Sequence, residues 1–132
     1  MKTYRTILAT LLVSLSVSSM WSSPLGNVLT DNHRIHLYDM DGNMFKSISD
    51  INGEVVGFSS DFFITQKSGW IYLYNNEGKM YKTMSARMVG EVVNVNGDTF
   101  TTKKGNLTSV YSMTGKLVYS IEKGENSNKI RI

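Results

Sequence analysis

The 132-residue chain contains no cysteine. No disulfide can form and no lipid can be attached at a cysteine, so any core must hold together without staples. Only two histidines are present, His33 and His36. They lie three apart across a turn with no thiol partner and no His-Glu-x-x-His pattern, which leaves a zinc site without its ligand set. No Gly-x-Ser-x-Gly elbow supports a serine hydrolase, and no glycine-rich phosphate loop supports nucleotide chemistry. Helical patterning is hard to find beyond the first twenty or so residues. Long apolar runs are missing too. The one continuous run, ILATLLVSLSV at 7–17, is too short to span a bilayer.

That run follows Lys2 and Arg5, and Val17 at its end with Ser19 just beyond gives a small-residue cleavage pattern. A basic start, a short apolar centre and a small-residue site together predict a signal peptide over 1–19. Residues 20–132 then form the mature domain, periplasmic or secreted and free of the membrane after cleavage. An uncleaved anchor is the alternative. An export signal without cysteine points to a bacterial envelope or secreted protein. Excess charge is also absent once the leader is set aside. The full chain has 14 basic and 11 acidic side chains, and losing Lys2 and Arg5 leaves 12 against 11. A nucleic-acid partner loses its main support.

What the chain does contain is a repeat. Ile35-His36-Leu37-Tyr38-Asp39-Met40-Asp41-Gly42 matches Ile71-Tyr72-Leu73-Tyr74-Asn75-Asn76-Glu77-Gly78, and Thr108 to Gly115 is a third copy. The tyrosines Tyr38, Tyr74 and Tyr111 are 36 and 37 residues apart. Gly53-Glu54-Val55-Val56 matches Gly90-Glu91-Val92-Val93, and Asp61 to Thr65 matches Asp98 to Thr102. A period in this range marks a repeat architecture. Each copy holds short apolar or β-branched runs separated by turn residues, which predicts an all-β fold. Asp41-Gly42, Glu77-Gly78 and Thr114-Gly115 are hairpin signals, because glycine accepts the positive φ such turns demand.

Strands are expected near 35–39, 43–48, 54–58, 61–66, 70–74, 79–84, 91–95, 98–103, 107–111 and 116–121. Asn27 to Thr30 enters the first copy partway through a unit, and Lys129 to Ile132 reads as a closing edge strand whose charges blunt the edge. Leu37, Leu73 and Val110 share one strand face while Tyr38, Tyr74 and Tyr111 share the other. Strands bulky on both sides need cover on both sides, so sheets stacked face to face are expected.

The unit Lys67-Ser68-Gly69-Trp70-Ile71-Tyr72-Leu73-Tyr74-Asn75-Asn76-Glu77-Gly78-Lys79 resembles a four-stranded β-propeller blade, in particular those of the NHL-like six-bladed propellers of secreted bacterial proteins. The resemblance spans about residues 25–121 and implies three blade equivalents. It transfers no catalytic residues, because the matching positions are structural. Three blades cannot close the usual ring of about 4–8. The expected solutions are a homodimer completing a ring, an open curved stack, or a β-trefoil.

Candidate chemistry is sparse. Asp39 and Asp41 flank a glycine turn as in calcium loops, yet no third acidic ligand or closing glutamate follows, so a plain turn is favoured over a metal site. His36 stands where the next copy has Tyr72 and is expected to be a half-buried aromatic substitute. Trp70 replaces Arg34 and Asn106 of the other copies and is the aromatic expected to be exposed for recognition, with Tyr72 beside it. Phe62, Phe63, Phe100, Tyr74 and Tyr81 are expected in the core. Lys67, Lys103 and Lys104 read as solvated hairpin tips. The expectation is a non-catalytic exported binding or interaction module, without cofactor, whose partner is itself, another protein or a glycan. The alternatives are a hydrolase-like site built from Asp39, Asp41 and His36 on oligomerisation, and a structural fragment of a larger propeller.

Overall fold

A computed structural model describes residues 24–124 and 128–131. The expected signal peptide, 1–19, lies outside the described residues. No helix among those described is long and apolar enough to cross a membrane.

The chain is all-β, and twelve strands among the described residues form three antiparallel sheets. The first sheet joins β1 (Leu25–Asp31), β2 (Arg34–Asp39) and β3 (Met44–Ser49) in sequence order. The central sheet joins β4 (Glu54–Phe58), β5 (Phe62–Lys67), β6 (Trp70–Asn75) and β7 (Met80–Ser85). The third sheet orders β8 (Glu91–Asn96), β9 (Thr99–Lys104), β10 (Leu107–Ser112), β11 (Leu117–Lys123) and β12 (Asn128–Arg131). No strand of one sheet belongs to another, so the trefoil alternative, which needs a closed barrel, is not adopted. A stack of open sheets is.

The repeat is legible strand by strand. β2, β6 and β10 are equivalent, as are β3, β7 and β11, and β4 and β8 are the inner strands of the second and third units. The first sheet has no counterpart of β4 among the described residues. The third sheet carries the extra strand β12, paired to β11 from Ser120↔Arg131 to Lys123↔Asn128. Each outer hairpin bulges at the same place, where Phe45, Tyr81 and Val118 have no partner opposite. One further element departs from the expected pattern. A single helical turn, α1 (Ala86–Val89), links β7 to β8.

Alternation places the core. Phe62, Ile64, Ile71 and Leu73 lie on one face of the central sheet, with Phe63, Thr65, Tyr72 and Tyr74 on the other. Phe62, Phe63, Ile64 and Thr65 are all fully buried, a pattern possible only in a strand covered on both faces. One side packs with Leu25, Val28, Ile35 and Leu37 of the first sheet. The other packs with Phe100 and with Val92, Val95 and Tyr111 of the third. Each buried phenylalanine contributes about 1.5–3 kcal/mol by leaving water. The Phe63–Tyr74 rings stack at 4.6 Å, and the equivalent Phe100–Tyr111 pair stacks at 5.5 Å. The inner strands also approach closely, since a Cβ on Gly57 would stand 2.5 Å from Val95 Cγ2.

The buried hydroxyls repeat as well. Thr65 Oγ1 donates to the Asn52 carbonyl at 2.8 Å, and Thr102 Oγ1 donates to the Val89 carbonyl at the same place one unit later. Each satisfies a carbonyl just before the glycine that opens the inner strand, so the polar atom is buried without the cost of an unmade bond.

Candidate functional site

The site is built at one end of the central sheet. β5 stops at Lys67 because Ser68 and Gly69 both take positive φ, 51° and 84°, as a two-residue hairpin turn with the twist of the flanking strands requires. Trp70 follows as the first residue of β6, opposite Lys67 on one side and Ser85 on the other. The Ala86 backbone N–H donates to the Gly69 carbonyl at 2.8 Å, which ties the turn to α1. Lys67 Nζ donates to the Ile51 carbonyl at 3.1 Å. The hairpin tip is therefore held from both sides.

Trp70 is 48% exposed on this tip. It lines a recess of about 240 Å³ with Ser68, Gly69, Ser85 and Arg87. A second, more open depression of about 420 Å³ lies across the same turn, lined by Glu54, Val56, Gln66, Lys67, Ser68, Gly69, Glu91 and Val92. Trp70 and Tyr72 point to the same face of β6, but the structure separates their surroundings. Tyr72 is half-buried and packs against the core between the first and central sheets. Ile51 and Met88 are also strongly exposed, in the links that precede β4 and β8.

Strand pairing refines the comparison between copies. Trp70 pairs with Lys67, Arg34 with Asp31, and Leu107 with Lys104. The third-copy equivalent of Trp70 is thus Leu107, not Asn106, because α1 makes the second period one residue longer than the first. Arg34 is pinned by Nε–H···Oγ and Nη2–H···O bonds to Ser47 at 3.1 and 2.8 Å. Arg87 has no hydrogen bond or ion pair among the described residues.

The acidic turn is occupied with its own backbone. Asp39 Oδ1 accepts from the N–H groups of Asp41 and Asn43 at 3.0 and 2.9 Å. Asn75 Oδ1 does the same for Glu77 and Lys79, and Ser112 Oγ accepts from the Lys116 N–H. An aspartate, an asparagine and a serine perform one turn-closing task in three copies, so the side-chain oxygen matters there and the charge does not. No cluster of three metal-ligating side chains occurs among the described residues.

His33 is exposed and sits 3.7 Å from Asp50. His36 is half-buried on the outward face of the first sheet, opposite Leu29 and Ser47. Its buried Nδ1 has no partner among the described residues. No hydrogen bond joins His36 to Asp39 or Asp41 among the described residues. Of the aromatic set, Phe62, Phe63, Phe100 and Tyr74 are buried, whereas Tyr81 is 41% exposed. The Tyr81 hydroxyl donates to the Met113 carbonyl, and desolvation pushes its phenol up to about 12. Arg87 and Ser85 escape sequence reading because a single helical turn leaves no periodicity. Their one trace is the step in the repeat from 36 to 37 residues.

No family model matches the chain, and no curated protein matches it.

Proposed function

We propose that the protein is a non-catalytic binding module that engages its ligand at the Trp70 end of the central sheet. The observation that carries this reading is a half-exposed tryptophan, fixed on a braced hairpin tip beside a polar recess, where the sister copies have a pinned arginine and a leucine. An indole held in place loses little entropy on binding and offers both an apolar face and an N–H donor. The surrounding chemistry supports recognition over reaction. The carboxylates of Asp39 and Asp41 belong to a turn at the opposite end of the sheets, and no reactive side chain lines the Trp70 recess.

The repeat units are read as blade-like, and the leader as an export signal, so the ligand would be met in the periplasm or outside the cell. Trp70→Ala tests the reading. It should abolish ligand capture, scored on a glycan and peptide array, while the unfolding midpoint stays within the small range of a surface substitution, about 0.5 kcal/mol. Undiminished capture by the variant would remove this site from the account.

A further inference from the structure

Resting on that reading, we infer that the Trp70 recess takes an acidic sugar residue of a glycan, with the ring on the indole and the carboxylate on Arg87. The recess, at about 240 Å³, lies below the roughly 300–1,000 Å³ of pockets that enclose a drug-sized ligand. That suits one ring of a longer chain better than a whole cofactor. Its lining offers one aromatic face, two hydroxyls from Ser68 and Ser85, and one guanidinium. Indole faces stack on the C–H face of a sugar, while the hydroxyls exchange hydrogen bonds with its OH groups.

Arg87 sets the charge. It is exposed, adjoins Trp70 across the recess, and has no carboxylate partner among the described residues. A planar guanidinium free of internal bonds matches a carboxylate through two parallel N–H···O contacts. The other depression is unsuited to an anion, because Glu54 and Glu91 both line it. The Ser68–Gly69 turn separates the two, so an acidic sugar is directed to the Arg87 side.

The test is calorimetric titration of the exported chain with oligogalacturonate, alginate oligosaccharide and sialyllactose, each beside its methyl ester, which keeps the rings and removes the charge. At least one acid should bind about tenfold or more tightly than its ester, the size of a charge-assisted pair. Arg87→Gln should erase that preference, and Trp70→Ala should weaken acid and ester alike. Raising salt should narrow the gap between acid and ester. Equal binding of acid and ester, or a preference that survives Arg87→Gln, overturns the acidic-sugar inference and leaves the Trp70 platform standing. Failure of all three acids to bind overturns the inference as well. Tight binding that Trp70→Ala does not touch overturns both it and the proposed site.

Discussion

At the scale of single residues, side chains that look interchangeable in composition have separate tasks. Tyr81 and Trp70 are both half-exposed aromatics, yet Tyr81 spends its hydroxyl on the Met113 carbonyl of the neighbouring unit, whereas Trp70 makes no such tie among the described residues. Burial raises the Tyr81 phenol from 10.0 to about 12, so the folded protein holds that proton more tightly than the unfolded chain. The stabilisation is complete below pH about 10 and is lost as pH rises through about 12. Urea titrations of the parent should therefore show stability falling more steeply across that window than in Tyr81→Phe. The variant should be about 0.5–1.5 kcal/mol less stable below it. Equal slopes would mean that the phenol is not held neutral by the fold. Trp70 was legible in the sequence because it broke a repeat position. Arg87, its neighbour in the recess, was not, because it stands in a link one residue longer than the link before β4, so no position of the copy matches it directly.

Secondary elements show how the turns serve two ends at once. Gly42, Gly78 and Gly115 take φ of 85°, 84° and 87° in equivalent turns, as their sequence pattern required. What the pattern did not reveal is that two of them also receive the sheet before. A Cβ on Gly78 would lie 3.0 Å from Leu37 Cδ1, and one on Gly115 would lie 2.6 Å from the Lys82 side chain, while Gly42 has open space. The two contributions can be separated by substitution. Gly42→Ala should cost about 1–2 kcal/mol for the left-handed backbone alone. Gly78→Ala should cost more, since Leu37 is fully buried and must yield. Identical midpoints in chemical denaturation would show that this inter-sheet contact is slack. The bulges at Phe45, Tyr81 and Val118 were likewise invisible beforehand, since an unpaired residue changes register without changing the strand pattern. Together with Lys46 and Lys82, the bulges at Phe45 and Tyr81 blunt the outer edges of β3 and β7, and bulges and lysines are common protections of an open edge.

For the whole molecule, the decisive comparison is between the central sheet and its two neighbours. Phe62, Ile64 and Ile71 face the third sheet, and their counterparts on the outward face of that sheet are Thr99, Thr101 and Thr108. Phe63 and Tyr72 face the first sheet, and their counterparts on its outward face are Asn27 and His36. At these positions the two ends of the stack carry polar side chains where the central sheet has apolar ones, while Leu29, Tyr38 and Val110 stay apolar on the same outward faces. The sequence disclosed stacked sheets because the central strands are bulky on both faces. The polar positions at the ends are recognised only when the register assigns each residue to a face. If the outward threonines disfavour pairing between copies, the double variant Thr99→Phe, Thr101→Ile should self-associate with rising concentration in sedimentation velocity, and a variant that stays monomeric would count against this role.

The most direct test of the capped three-sheet stack is the solution mass of residues 20–132 by light scattering, across a wide range of concentration. The account predicts a single monomer mass at every concentration. A discrete dimer would contradict it, because the end faces would then be joined and the polar substitutions would belong to an interface.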